Sequence, residues 1–169
     1  MINNLLPISV LCTSELTSYL QLPYVFPWDI KMDAYKFNNS FPVITHAPCA
    51  QWSKMKAFSK VNMKEKDLAF FCYEKVMANG GIFEHPAGSS FFKYIGIDKK
   101  VLSVNQHWFG FPSQKKTYLF FNKCVPDCFP ISLDAIQKTT LQLSQYQRSF
   151  TTLTFATWLV NSIRNSYIF

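Results

Sequence analysis

Two residues carry most of the chemistry this sequence offers, Cys49 and Glu84. Cys49 stands in Pro42–Lys54, PVITHAPCAQWSK. An apolar run reaches polar Thr45 and His46, breaks at Ala47-Pro48, and presents a thiol ahead of Gln51, Trp52 and Ser53. Cysteine is a nucleophile as thiolate. A place just past a strand and near a helix start predicts a lowered pKa, and Pro48 stiffens the backbone before it. A thiol of this kind can add to carbon 6 of a pyrimidine, which makes carbon 5 nucleophilic. That addition needs a proton donor or hydrogen-bond partner on the ring nitrogen, a role that a carboxyl such as Glu84 fills. His46 and His85 flank the pair. They are either core histidines satisfied by backbone, the commoner case, or proton-transfer groups. A metal is the weaker idea for them, because paired ligand spacing is absent. Cys124-x-x-x-Cys128 also lacks the second pair of a zinc site.

The elements around these residues read as α/β. Leu5–Cys12 is a short apolar strand, and Thr13-Ser14-Glu15 could cap a short helix over Leu16–Leu20. Tyr24–Ile30 is a second strand ending at Asp29, and Pro27 restricts it to an edge or a bulge. Asp33–Phe37 forms a helical turn, and Val43–His46 is the strand that leads to Cys49. Asn62 and Glu65 have the form of a capping box. The helix they open runs to Ala78 with an apolar face of Leu68, Phe71, Cys72, Lys75 and Val76, and Asn79-Gly80-Gly81 stops it. Ile82-Phe83-Glu84 is the next strand, ended by His85-Pro86. Strand, helix and strand at this spacing make a βαβ unit with parallel strands and a right-handed crossover. Cys49 and Glu84 are therefore expected at the same, C-terminal edge of the sheet, where open α/β folds keep their sites.

Beyond this unit, Phe91–Tyr94 is a helical turn, Leu102–Trp108 and Lys116–Phe121 form an antiparallel hairpin, and Cys124–Pro130 is a loop. Leu133–Gln147 and Thr151–Ser162 read as terminal helices, the second with an apolar face of Phe155, Trp158, Leu159 and Ile163. Repeats, low-complexity tracts and linkers are absent, so residues 1–169 read as a single domain.

A hydrophobic fraction of 49% against 16% charged residues describes a folded chain with a real core. The 17 Phe among 169 residues mean either an aromatic core or rings at a surface for flat ligands such as bases. A net charge of +7 favours anionic partners, nucleic acid or nucleotides, over a merely solvated basic surface. The run Lys54, Lys56, Lys60, Lys64 and Lys66 is either a solvated face or a loop that closes over an extruded base. Five cysteines without a secretory framework point to a reduced, cytoplasmic protein. Cys12 and Cys72 read as structural thiols. No stretch of eighteen apolar residues occurs, so no membrane span is expected, and the first residues carry no signal-peptide pattern.

At APCAQWS the sequence resembles the Pro-Cys-Gln nucleophile loop of C5-cytosine DNA methyltransferases, and GGIFEHPAGS resembles their Glu motif, in which the Glu holds the cytosine ring. NQHWFGFPSQKKTYLF is similar to the following basic block, with Gln114-Lys115-Lys116 as the match. WDIKMDA resembles the acidic strand end that binds the ribose of S-adenosylmethionine. RSFTTLTFATWLV looks like a closing helix of related phage proteins. The order of the blocks is right and the similarity spans most of the chain. It is strongest to small phage-type proteins with a His-x-Pro-Cys…Glu-His-Pro pattern.

The resemblance implies a Rossmann-like methyltransferase fold, a mostly parallel sheet with flanking helices. Cys49 would be the nucleophile and Glu84 the ring-binding acid. Asp29 and Pro48 would face the cofactor, S-adenosylmethionine. Gln51, Ser53, His85, Lys115 and Lys116 would face the substrate, the two lysines holding phosphate. The chain departs from the family in three places. SVLCTSEL has no glycine where a Phe-x-Gly-x-Gly cofactor loop stands, His85 replaces the usual Asn, and the target-recognition domain is missing. The expected activity is pyrimidine modification on nucleic acid or a nucleotide, with a partner protein supplying recognition, in the host cytoplasm for a phage-encoded chain. The alternative is an inactive methyltransferase-fold protein of phage or mobile-element origin that binds a nucleotide, DNA or a host protein. A third reading keeps the thiol chemistry with another donor or none, as in base exchange or hydrolysis.

Overall fold

Ile82 and Phe83 are neighbours in the chain, both fully buried, and they belong to different halves of the core. The period-2 alternation of strand side chains sends them to opposite faces of one sheet. The computed structural model describes residues 5–53, 62–130, 136, 138–139 and 142–168. Its six strands are β1 (Ile8–Leu11), β2 (Val25–Trp28), β3 (Val43–His46), β4 (Gly81–Pro86), β5 (Leu102–Asn105) and β6 (Lys116–Asn122). They lie in the order β2-β1-β3-β4-β6-β5. β1 is parallel to β2 and β3, and β3 is parallel to β4. β6 runs against both of its neighbours, β4 and β5. This is a mostly parallel mixed sheet of the α/β class, and the β5–β6 pair is antiparallel as expected.

The longer helices cover the two faces. Helix α1 (Met63–Asn79) and the short α2 (Phe91–Tyr94) pack with Val43, Phe83 and Phe120. Helix α4 (Leu153–Ser166), preceded by α3 (Gln145–Ser149), packs with Ile8, Val10, Ile44, Ile82 and Leu119. α4 buries Phe155, Trp158, Leu159 and Ile163, the face that its spacing predicted.

The ends of α1 set the site. Asn62 caps its start by accepting from the Glu65 N–H at 3.4 Å. Gly80, at φ 78°, ends it and returns its N–H to the Val76 carbonyl. The Asn79 side chain donates to the Asn39 and Phe41 carbonyls, at 2.9 Å each, and so ties the helix end to the start of β3.

Several elements differ from the sequence reading. The Leu16–Leu20 helix is a single 3-10 turn, Ser18–Gln21. β5 stops at Asn105, whose side chain caps a 3-10 turn, Gln106–Phe109, closed by Gly110 in the left-handed region. β4 runs on to Pro86, because its end pairs with Thr117 of β6. The stripe of α1 that is buried is Ala69, Cys72 and Val76. Phe70 and Tyr73 join the rings of α2 and β4, and this rotates Phe71 and Lys75 to the margin. Of the expected Leu133–Gln147 helix, residues 133–135, 137, 140 and 141 lie outside the described residues. The described remainder becomes regular helix only at Gln145. Lys54, Lys56 and Lys60 also lie outside the described residues. Among the described residues no helix is long and apolar enough to cross a membrane.

Candidate active site

β3 and β4 are in register with His46 opposite Glu84. Parallel pairing points both strands the same way, so His46, the Cys49 turn and Glu84 occur at one sheet edge. His46 Nδ1 lies 3.1 Å from Glu84 Oε2, and its Nε2 lies 2.9 Å from the Tyr19 hydroxyl. The Thr117 hydroxyl donates to Glu84 Oε1. The ring thus bridges Tyr19 and Glu84, with its Nδ1–H donating to the carboxylate.

Glu84 is buried, with 8% of its surface exposed. Burial alone raises its pKa, but the hydrogen bond and charge of His46, with Lys115 and Thr117 assisting, hold it down at about 2. Each carboxylate oxygen has one protein partner here and keeps a second lone pair for a ligand.

This arrangement fixes how stability depends on acid. The ordinary glutamate value of 4.5 falls to about 2 in the folded chain, so the folded state binds this proton more weakly than the unfolded state. The stabilisation is therefore complete above the ordinary value and is lost as pH falls through about 2. It amounts to about 3 kcal/mol. Glu84→Gln is expected to flatten the acid limb of the stability curve, measured as urea midpoints between about pH 5 and 2.5. A variant with the wild-type acid slope would refute the assignment.

Cys49 heads a 3-10 turn, Ala50–Trp52, and its carbonyl accepts from the Trp52 N–H at 3.0 Å. Trp52 anchors that turn. Its ring is buried against Phe91, Phe70 and Tyr94, with centroids 5.0, 5.5 and 5.4 Å away. Ser90 clamps the same turn, its N–H and hydroxyl both donating to the Trp52 carbonyl at 2.8 and 3.1 Å.

The Cys49 thiol departs from the sequence expectation. It is half-buried, and burial followed by the Glu84 charge pushes its pKa up, with Lys115 only partly opposing. The expected lowering needed a net positive environment, and the neighbouring carboxylate supplies the opposite sign. The resting site thus pairs a protonated thiol with an ionised carboxylate.

The other expected contacts divide. His85 is fully buried. Its Nε2 lies 3.2 Å from the Pro48 carbonyl and its Nδ1 lies 2.7 Å from the Ser89 hydroxyl. Burial lowers its pKa, so the Nε2–H form donates to Pro48 and accepts from Ser89. His85 is a buried strut between two loops. The Ser53 hydroxyl donates to the Ala50 carbonyl at 3.3 Å and closes the Cys49 turn. Lys115 and Lys116 do not form one clamp. Lys115 is half-buried, donates to the Phe150 carbonyl at 3.2 Å, stands 4.9 Å over the Phe111 ring, and acts electrostatically on both Glu84 and Cys49. Lys116 is exposed, and strand alternation turns it away from the face of Thr117.

Asp29 and Pro48 do share a cleft, of about 310 Å³, with Cys12, Thr13, Asp33 and Tyr35. Asp29 Oδ1 accepts from the backbone N–H groups of Lys31 and Met32, at 2.9 and 3.1 Å. Its other oxygen is left for a hydroxyl pair. Cys12 adopts φ 62°, the left-handed conformation a glycine loop would supply, without a glycine. Thr13 Oγ1, beneath the cleft, is buried with no partner among the described residues. Asp29, Asp33 and Glu65 give the cleft a negative lining. These features fit S-adenosylmethionine, a ligand with a sulfonium, an ammonium and a ribose diol.

Tyr19 and Thr117 reach the site without any local signal in the sequence. Alternation along β6 does place Thr117 and Leu119 on one face, but only the register with β4 puts Thr117 beside Glu84. No protein-family model matches this chain, and no curated protein is similar to it at a significant level.

Proposed function

We propose that this protein is a pyrimidine-modifying enzyme of the C5-methyltransferase type, acting on nucleic acid or a nucleotide through Cys49. The observation that carries the reading is the β3–β4 register. It sets His46 against Glu84 and brings the Cys49 turn to the same edge, beside a negatively lined cleft. The mostly parallel sheet with one reversed strand agrees with a Rossmann-like methyltransferase arrangement.

In this mechanism the pyrimidine ring lies between Cys49 and Glu84. As the Cys49 sulfur bonds to carbon 6, its proton passes to the Glu84 carboxylate. Glu84 hands that proton to the ring nitrogen, and the broken 5,6 double bond leaves its electron pair at carbon 5. His46 and Thr117 hold the carboxylate in place during both transfers. S-adenosylmethionine, when bound at Asp29 and Pro48, supplies an electrophilic methyl group. Water takes the carbon 5 proton, whose bonding pair reforms the 5,6 double bond and expels the Cys49 sulfur, and Glu84 returns the ring-nitrogen proton to that sulfur.

The test has two parts. Calorimetry is expected to show S-adenosylmethionine binding, and a strand containing a 5-fluoropyrimidine is expected to become covalently attached, because fluorine at carbon 5 blocks the final elimination. Absence of binding at millimolar cofactor would sink the methyltransferase reading. The second reading, an inactive protein that keeps the fold to bind a nucleotide, DNA or a host protein, is favoured by the raised Cys49 pKa. It predicts ligand binding without any adduct.

A further inference from the structure

We propose that the groove lined by Gln51, Trp52, Lys66, Ser90, Lys93 and Tyr94 is the track for a single-stranded nucleic acid, holding the nucleotides that flank the base presented to Cys49. The groove has a volume of about 440 Å³. Two of its residues, Gln51 and Trp52, belong to the Cys49 turn, so a strand lying in it passes beside that turn. α1 contributes Lys66, and α2 contributes Lys93 and Tyr94.

Three observations select the ligand. First, the charges are sorted. The residues lining this groove include two ammonium groups and no carboxylate, whereas the cleft at Asp29 gathers Asp29, Asp33 and Glu65. Consecutive residues Glu65 and Lys66 of α1 line different cavities, one suited to a cation and the other to a polyanion. Second, the cations are available. Lys66 stands 5.7 Å over the Trp52 ring, and among the described residues neither Lys66 nor Lys93 is ion-paired with a carboxylate. Third, Tyr94 is 67% exposed while its ring packs at a tilt on buried Trp52, centroids 5.4 Å apart. This is a rigid aromatic platform open to solvent, and unpaired bases stack on such platforms irrespective of sequence.

Phosphate alone would require only the lysines, and a duplex would offer Tyr94 no free base face. A free nucleotide whose base lies at Cys49 has no further phosphates to place along a groove that starts beyond Cys49, at Gln51 and Trp52. The shared chemistry, a phosphodiester chain with unstacked bases, belongs to both single-stranded DNA and RNA. The inference rests on the proposed function for the position of the reacting base, while strand binding itself needs no reaction.

Fluorescence anisotropy with labelled 12-nucleotide single strands of DNA and RNA tests this, with a duplex of the same sequence and a pyrimidine mononucleotide as competitors. Wild-type protein is expected to bind single strands better than the duplex, and the mononucleotide is expected to compete poorly. Lys66→Ala with Lys93→Ala is expected to weaken binding at least about ten-fold and to reduce the slope of log K against log salt by about 1.4, two single-strand phosphates. Tyr94→Ala is expected to weaken it about ten-fold with the slope unchanged. Lys93→Glu alone, at an exposed position, checks the direction without disturbing α1. Wild-type affinity and slope in the double variant would overturn the proposal, as would a preference for duplex or equal competition by the mononucleotide. Binding of either single strand supports it, and the DNA–RNA ratio names the source. Strand binding without an adduct keeps the groove and rejects the reacting thiol. An adduct with a free nucleotide and no strand binding does the reverse.

Discussion

A Cys49→Ala variant is expected to form no covalent adduct with a 5-fluoropyrimidine strand and to lose roughly 10⁴-fold or more of any methyl transfer, the scale on which removal of a nucleophile is felt. Deletion alone does not distinguish a nucleophile from a residue that shapes the site, so Glu84 provides the second arm. Its charge is one of the causes that push the Cys49 thiol up. Glu84→Gln removes that charge and retains a hydrogen-bonding side chain. Iodoacetamide should therefore alkylate Cys49 faster in Glu84→Gln than in wild type, read by peptide mass spectrometry so that exposed Cys128 does not confuse the count. The pyrimidine adduct should form more slowly in the same variant, by about 10² to 10⁴-fold, because the acid that serves the ring nitrogen is gone. Opposite changes in the two reactions are the signature of the proposed pair. If Glu84→Gln accelerates both, Glu84 only suppresses the thiol and the proton route through it is wrong. If both slow together, the substitution has moved the Cys49 turn.

What the sequence told of this site depended on whether a residue's position is set by neighbours in the chain or by partners far along it. The strand Val43–His46 was legible to the residue, because an apolar run meets His46 and then a Pro two residues on. The helix after it was legible at both ends, since Asn62 and Gly80 are local signals. From those two elements the shared edge of Cys49 and Glu84 followed by topology. Asp29 and Pro48 meeting in one cleft follows from the same rule, both standing just beyond parallel strand ends.

Long-range pairing decided the rest. Tyr19 reaches His46 across 27 residues, and Thr117 reaches Glu84 across 33. The glycine-free turn at Cys12 hid a left-handed backbone that residue type does not announce. The sign of the Cys49 shift is set by burial and by the charge of Glu84, a partner far along the chain that the position at a turn does not announce. The opposite fates of Lys115 and Lys116 were available in principle, since adjacent residues entering a strand face opposite sides. His85 illustrates the converse case. A histidine beside a candidate catalytic carboxylate invites a chemical role, yet full burial between Pro48 and Ser89 makes it the strut that sets the Cys49 turn against the loop after β4.

That dependence on the β3–β4 contact makes Gly81 the position where the smallest change should cost most. Gly81 opens β4 opposite Val43 with φ 122°. A Cβ built there would fall 1.9 Å from the Val43 carbonyl oxygen and 2.8 Å from its backbone nitrogen and carbon. The obstruction is backbone, so no rotamer change relieves it. The strands cannot part locally either, because the Val43 N–H is bonded to the Gly80 carbonyl at 3.0 Å. Strain of the positive φ adds to the clash. Gly81→Ala is therefore expected to lose about 4 kcal/mol or more. Gly110 separates the two terms. It has φ 80° and open space around the would-be Cβ, so Gly110→Ala carries only the conformational cost, about 1 to 2 kcal/mol. Urea denaturation of the two variants checks the comparison. A Gly81→Ala midpoint no lower than that of Gly110→Ala would mean that β3 and β4 tolerate separation. In that event the His46–Glu84 register could not be what holds Cys49 and Glu84 at one edge. Where Gly81→Ala remains folded in dilute buffer, the flattened acid limb expected of Glu84→Gln should appear in it as well, since a displaced β4 carries Glu84 away from His46.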